Sequence, residues 1–446
     1  MHLADDWLRE SSRTFPCERG EWRFTSPPED ADLPHAGWKI HVSATVMTVP
    51  VILDRVAQIV REYGVLAKCP RTLAGVARLN QGIGPTYSQI GKIFTVYPSS
   101  DEEFVALGDA LVAATEDCDH WPAVPFEKQL AAGRPVFYRY GVVDPSVDTT
   151  LGACHLRGPD GQVVPDRRSD TEPPAWVRDP VVWRARTVHR QEAMSFVGLR
   201  AVSQRGKGGV YLAVDRNAGR RHLCIAKEGR RHGETDFDGV DGRRRGLDEA
   251  DALTALRGLG CMPVLTGVET AGGHVYLKME PIAGVDVAQM VHGHVPAHTL
   301  RAIVLRLAES VRSVHTHGWI WNDCKPANIV VGSRGRVHLL DFEGACPIAS
   351  PRLSGYASPG YEPPRPHGRE PTAVEDDVFA LGVVLHELYG GRLVPGAHGA
   401  ALVGRAWRAS ADLQRLLQAM RDRRRWRRPY LVEVIDRVRR DPLPAC

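Results

Sequence analysis

The chain has 446 residues, room for two or three domains of about 150 residues each. Its 43% hydrophobic and 25% charged residues exclude a mostly disordered protein, and a net charge of +4 is too mild to imply a nucleic-acid partner. No apolar run approaches the ~18 residues of a membrane span, the N-terminus has no export signal, and the nine cysteines are scattered, odd in number and free of C-x-x-C pairs, so the expectation is a cytoplasmic protein with reduced thiols, with neither nucleic acid nor membrane as partner.

In chain order, residues 38–46, 92–97 and 136–143 alternate as strands do. Between the first two, Ile52, Val56, Ile59 and Val60 share one face of a helix over 51–63 that Gly64 stops. Ser100 and Glu103 have capping-box spacing and open a helix toward Cys118. The Pro- and Arg-rich stretch 158–180 reads as irregular. Beyond it, 197–214 and 221–226 look like a strand, a glycine loop and a strand. Leu300, Ile303, Val304, Leu307, Val311 and Val314 line a buried helix face ending near Gly318. Strand-like 329–332 and 337–340 follow, then an apolar helix over 374–389. The reading is α+β, with one domain at 1–185 and a bilobal one at 186–446, its small lobe about 194–282 and its helical lobe about 283–440. The arginine run 421–428 reads as a solvated helix end that also attracts an acidic peptide.

The second region carries a spacing with chemistry in it. Asp323 is followed by Lys325 two residues on, Asn328 five on, and by Asp341-Phe342-Glu343 directly after an apolar strand. Phosphoryl transfer uses a carboxylate to take the proton of the attacking hydroxyl, here Asp323, and an Asn and a second carboxylate to hold magnesium, here Asn328 and Asp341. Lys325 offsets charge near the γ-phosphate. Lys227 ends an apolar run upstream, Glu249 can pair with it, and Gly206, Gly208 and Gly209 make a loop whose bare backbone can approach phosphates. With the 377–382 segment and Arg428-Pro429, these features resemble the protein kinase fold, which implies ATP or GTP and Mg. Trp321-Asn322 stands in place of the usual His-Arg, and Glu343 in place of the Gly of D-F-G.

Only eight of the 57 basic residues are Lys, so each surviving Lys invites a chemical reason. Trp38-Lys39-Ile40-His41, then Lys68, Gly91-Lys92 through Tyr97-Pro98, Tyr138-Arg139-Tyr140-Gly141 and the tail from Pro165 to Pro180 resemble the N-terminal lyase domain of class III and IV lanthipeptide synthetases. That domain is similar to effector-type phosphothreonine lyases. In these synthetases a kinase follows and its magnesium motif commonly reads D-F-E, so Glu343 fits. The resemblance implies β-elimination of phosphate. Lys68 is then the base, His41 the acid, Lys39 a support for the developing enolate, and Lys92 and Arg139 the grip on phosphate. Like-charge pressure from Lys39, Lys92 and Arg139 is expected to depress Lys68. The family's basic residue is absent from 85–90, so one phosphate contact is expected to be missing or supplied elsewhere.

The implied function is dehydration of Ser or Thr in a ribosomally made precursor peptide with a leader. No cyclase ligand set is legible, so a separate cyclase protein is an expected partner. The residues leave two alternatives: a signalling Ser/Thr kinase with a non-catalytic N-terminal domain, and a pseudokinase scaffold.

Overall fold

The computed structural model describes residues 2–27, 33–143, 154–181, 194–216, 222–291, 293, 295–353, 358–365, 370–396, 399–404, 406 and 409–441. They form two compact units: Met1–Leu212 with Lys227–Arg244 and Thr270–Tyr276, and Ala213–Ala226 with Arg245–Glu269 and Leu277–Cys446. The boundary expected at 185/186 and Cys446 lie outside the described residues. No helix among the described residues is long and apolar enough to cross a membrane.

The first unit opens with α1 (His2–Thr14), β1 (Cys17–Arg19), β2 (Trp22–Phe24), β3 (Ala36–Val42), α2 (Val49–Tyr63), β4 (Leu66–Pro70) and α3 (Leu73–Gln81). It continues with β5 (Phe94–Tyr97), α4 (Asp101–Ala114), β6 (Lys128–Gln129) and β7 (Val136–Val142), and then the short β8 (His155–Arg157) and β9 (Val163–Pro165). Strands β1 to β7 form one sheet in the order β1-β2-β4-β5-β3-β7-β6. Its two faces differ in chemistry because strand side chains alternate. Trp38, Ile40, Val42, Ala67, Cys69, Phe94, Val96 and Tyr138 point into one core with Ile52, Val56, Phe104 and Leu107 of α2 and α4. Burying each large aliphatic side chain contributes roughly 1.5–3 kcal/mol. The intervening positions, Lys39, His41, Lys68, Thr95 and Arg139, share the opposite face.

Several expected bounds shift for local reasons. The first strand ends at Val42, not 46, because the Ser43 hydroxyl turns to the Pro122 carbonyl (2.6 Å) and Thr45 and Thr48 bond each other ahead of α2. Lys92 precedes β5 and does not begin it. Half of the capping box of α4 forms: the Ser100 hydroxyl accepts from the Glu103 amide, while the Glu103 carboxylate accepts from the amide of Ser99, one residue before the cap, at 2.6 Å. The 158–180 stretch is more ordered than expected. Lys128, buried, holds Glu172 at 2.6 Å and Asp179 at 3.0 Å, and the Tyr138 hydroxyl donates to Asp179 at 3.0 Å, which fastens the segment to β6 and β7.

Next come β10 (Phe196–Arg205), β11 (Gly208–Asp215), β12 (His222–Gly229), α5 (Gly242–Ala255), β13 (Leu265–Ala271) and β14 (His274–Met279). Strands β10 to β14 form a sheet in the order β10-β11-β12-β14-β13. The second unit continues with β15 (Gly284–Asp286), α6 (Val287–Val291), α7 (Ala297–Thr316), β16 (Trp319–Ile320), β17 (Ile329–Gly332), β18 (Val337–Leu339) and β19 (Cys346–Pro347). It ends with α8 (Val374–Leu388), β20 (Arg392–Gly396), β21 (Gly399–Val403), α9 (Ala411–Met420) and α10 (Leu431–Arg440). The expected face of α7 is buried, and β17 and β18 pair antiparallel with Ile329 opposite Leu339. The arginine run is not simply solvated. Arg425 and Arg428 both bond the Asp376 carboxylate, while Arg423, Arg424 and Arg427 stay exposed.

Candidate active sites

Strand register assembles the first site. Thr95 of β5 lies opposite Lys68 of β4 and opposite His41 of β3, and Lys39 lies opposite Arg139 of β7. Residues from four strands therefore meet on one polar face. Lys68 and His41 stand two strand spacings apart, about 10 Å. Lys39 donates to the Val142 carbonyl at 2.8 Å. The Lys68 ammonium stands over the Trp22 ring, 4.4 Å from its centroid, with Tyr97 behind it at 5.9 Å.

Two carboxylates balance the cations, Glu127 outside every quoted motif and Asp166 within the 165–180 tail but with no role assigned to it there. Glu127 is fully buried, with Oε2 2.7 Å from His41 Nδ1 and Oε1 2.6 Å from Lys92 Nζ. Asp166 bonds the Arg139 guanidinium and accepts from the Val142 amide at 2.9 Å. Its oxygen sits 2.9 Å from where a Cβ at position 141 would lie, so Gly141 admits it. Arg139 also donates to the Arg167 carbonyl at 3.3 Å.

Burial is the main cause of the shifted acidities here. It lowers Lys39 to about 7, helped by Arg139, Lys92 and Lys68 against Asp166. It lowers Lys68 to about 8, helped by Arg168. The expected sources of pressure on Lys68, namely Lys39, Lys92 and Arg139, are thus replaced by desolvation and a tail arginine. Burial also lowers Lys92, with Glu127 opposing, and takes His41 down to about 4, again against Glu127. For Glu127 burial acts upward, but His41 and Lys92 outweigh it and hold the carboxyl well below its usual range.

The second unit builds its site on backbone held from below. The buried Asp377 carboxylate accepts from the Trp321 and Asn322 amides, each at 2.8 Å, and meets His315 Nε2 at 2.8 Å. Asn322 and Asp341 are left-handed, with φ of 68° and 60°, a conformation Asn and Asp tolerate better than most side chains. Lys325 Nζ donates to Asp323 Oδ2 at 2.6 Å and to the Ser358 hydroxyl at 2.8 Å, and Ser358 donates to Asp323 Oδ1 at 3.1 Å. Asn328 Nδ2 is spent on Asp323, at 2.8 Å from Oδ2. Burial raises Asp323; Lys325 opposes this, and Asp341 and Glu343 add to it. The Glu249 carboxylate accepts from the Phe342 amide at 3.3 Å.

The glycine hairpin differs from a bare phosphate cradle. Within the first unit, the Gly206 amide donates to the Gln81 carbonyl at 2.7 Å and the Gly209 amide to Glu228 at 3.1 Å. A Cβ on Gly206 would fall 1.7 Å from the Asn80 carbonyl oxygen, and one on Gly208 1.8 Å from that of Glu228. These glycines are demanded here by close backbone packing. Lys227 lies half-buried on β12.

Comparison with known proteins accords with this geometry. Residues 206–430 match the protein kinase domain, half of the chain, and residues 5–193 match the RamC N-terminal domain. The chain belongs to the protein kinase family and carries a RamC-type N-terminal domain ahead of its kinase domain, the order met in class III lanthipeptide synthetases. It is 32% identical over 390 residues to a probable SapB synthase of Streptomyces coelicolor, covering 81% of this chain and 40% of that protein. It is 28% identical over 206 residues to a probable serine/threonine-protein kinase PknB of Lactococcus lactis, 44% of this chain and 32% of that one. It is also 26% identical over 220 residues to serine/threonine-protein kinase F of Synechocystis, 44% of each. The chain thus spans between about a third and under half the length of these relatives.

Proposed function

We propose that the chain dehydrates Ser and Thr of a ribosomally made precursor peptide in two steps, phosphorylation by the kinase domain and elimination of phosphate by the N-terminal domain. Two matches support this: the kinase family match, and the 32% identity to a SapB synthase, whose name denotes synthesis of a product. The peptide carries a leader, and ring closure by a separate cyclase protein follows.

In the first step Asp323 takes the hydroxyl proton as the peptide oxygen attacks the γ-phosphorus of ATP, and the bond from that phosphorus to the bridging oxygen breaks with its electrons leaving on ADP. Its raised pKa, caused mainly by burial, makes the carboxylate a stronger base for that proton. Lys325 answers the charge that develops. Lys227 takes the α- and β-phosphates, and the Gly206-Gly208-Gly209 hairpin covers them once the Gly206 amide leaves Gln81 and the Gly209 amide leaves Glu228. GTP is the alternative donor. Asn328 and Asp341 fit magnesium. Asn328 keeps its carbonyl oxygen because its amide nitrogen is committed to Asp323, and Asp341 adds a carboxylate. Among the described residues no group of three or more His, Cys, Asp or Glu could cage a metal. Mg needs no such cage, since it binds through one or two carboxylates plus phosphates and water. When bound, it neutralises phosphate charge.

In the second step Lys68 takes the α-proton, and the C–H electron pair becomes the Cα–Cβ double bond. Lys39 steadies the enolate oxygen. The Cβ–O bond breaks, its electrons leave with phosphate, and His41 supplies the proton. Lys92 and Arg139 hold the phosphate. The products are dehydroalanine or dehydrobutyrine and inorganic phosphate. One observation carries this half: the row Lys68–Thr95–His41, with Lys39 and Arg139 alongside, in which two lysines are brought near neutrality.

The test is mass spectrometry of a Ser/Thr peptide incubated with the chain and ATP. A phosphopeptide that gives way to a product one water lighter than the start supports the reading. The kinase relatives favour a second reading, a signalling Ser/Thr kinase, for which the phosphopeptide is the end product. No mass change would leave a scaffold.

A further inference from the structure

Glu127 is a buried charge with a narrow set of neighbours. Its side chain is 0% exposed, and its carboxylate meets His41 Nδ1 at 2.7 Å and Lys92 Nζ at 2.6 Å, both residues of the proposed lyase site. The residue before it is a second signal. Phe126 has φ of 62°, a left-handed backbone rare for a bulky side chain. Its ring is 40% exposed, so burial of the ring does not account for the strain. Strain of this kind persists where the surroundings over-determine a functional geometry. Here the residue that follows carries the carboxylate that meets His41 and Lys92.

We propose that Glu127 is the positioning residue of the lyase site, holding the proton of His41 on Nδ1 so that Nε2 is the atom that delivers a proton to the departing phosphate. The inference rests on the lyase reading and extends it. The charged groups facing His41 are Glu127, Lys92 and Lys39. In the resting site burial keeps His41 neutral, with its Nδ1–H donating to an ionised Glu127. A phosphate dianion arriving on Lys92 and Arg139 brings negative charge beside the ring and favours its protonation, which can occur only at Nε2. As the Cβ–O electron pair leaves on the phosphate oxygen, the Nε2 proton passes to that oxygen and the imidazole returns to neutral. Glu127 keeps its own charge throughout, much as a buried Asp does beside a catalytic His.

The experiment measures phosphate release from a synthetic phosphothreonine peptide without nucleotide, for wild type, His41→Ala, Glu127→Gln and Glu127→Asp across pH. Glu127→Gln is expected to lower kcat by about 10²-fold or more with little change in KM. Without its counter-charge the imidazolium weakens, so the alkaline limb of the kcat profile moves to lower pH. Glu127→Asp restores the charge and recovers part of both. No phosphate release by wild type would sink the lyase reading and this inference together. Release by wild type, loss in His41→Ala, and an unchanged rate and limb in Glu127→Gln would overturn the inference alone. Nitrogen-15 NMR of the wild-type imidazole, identified by its absence in His41→Ala, checks the same point without depending on how the Glu127 variants fold. A protonated Nδ1 and a bare Nε2 in the resting protein are expected, and the opposite tautomer overturns the inference.

Discussion

In the first unit Lys39, Lys68, Lys92 and Arg139 gather on one sheet face, and Glu127 and Asp166 hold part of that charge. In the second, Asp323, Asp341 and Glu343 lie near one another and Lys325 answers them. Burial acts on both and pushes in opposite chemical directions: amines go down toward neutrality and a carboxyl goes up. The contrast matches what each step asks. Taking a proton from carbon while holding a dianion calls for a neutral amine among cations. Taking a proton from a hydroxyl beside a bound metal calls for a carboxylate.

The largest expected effects come from breaking one cluster and reading both reactions. Asp323→Asn should lower phosphorylation of an unmodified peptide by about 10²- to 10⁴-fold and leave elimination from a synthetic phosphopeptide intact. Asp341→Asn should act the same way. His41→Ala should do the reverse, so that phosphopeptide accumulates. Separate assays by mass spectrometry check this. If any of the three substitutions stopped both reactions in well-folded protein, the division of labour between the clusters would be wrong.

The two clusters were unequally legible in the sequence, for a geometric reason. Asp323, Lys325 and Asn328 fall within six residues, because one tight loop carries them, and Asp341 follows the next hairpin. The spacing is therefore visible in one dimension. The polar face of the first unit is assembled by register across β4, β5, β3 and β7, and its spacing exists only once the sheet has formed. Lys39 and His41 show as an i, i+2 pair; Lys68 has no local pattern, and β4 itself was not anticipated. Glu127 lies in a loop before a two-residue strand and gives no periodic signal. Asp166 and Arg168 sit in a Pro-rich stretch whose composition reads as linker, although Lys128 and Tyr138 tie it down through Asp179. Ser358 was missed because its role appears only with Asp323 and Lys325 beside it.

The next comparison lies inside the amine cluster. Lys68→Arg keeps the charge but cannot shed a proton near neutral pH, so elimination should fall by about 10²-fold or more. Lys92→Arg keeps a cation against phosphate and should cost less. Initial rates of phosphate release decide between them, and the opposite order would move the base assignment to Lys92.

A smaller effect concerns stability. Lys39 is held at about 7 in the folded protein against an ordinary value of 10.5. Below pH 7 both states carry the proton, and the fold bears the full cost of a buried, crowded charge. Between about 7 and 10.5 the unfolded chain binds more protons, so stability should rise with pH across that window. Lys68, at about 8, adds in the same sense from there upward. Lys39→Met should raise Tm at pH 6 and flatten this rise while removing elimination. A melting temperature that falls between pH 7 and 9 in wild type but not in Lys39→Met would mean that this amine is not the one desolvated.

The smallest expected effect tests the tail. Arg168 is half-buried, two residues beyond the Asp166 that pairs with Arg139, and its charge presses on both Lys68 and Lys92. Arg168→Gln removes that pressure and leaves burial, the main cause, in place. Lys68 should therefore titrate higher, by less than about one pH unit. Elimination by a deprotonated amine rises with pH up to the pKa of that amine, so the ascending limb should move to higher pH. The rate at pH 7 should drop a few-fold while the rate at high pH stays near wild type. A drop of equal size at every pH would mean that Arg168 acts through phosphate or peptide binding instead of through the base. No change at any pH would remove the tail from the site and return 158–180 to the role of a connector.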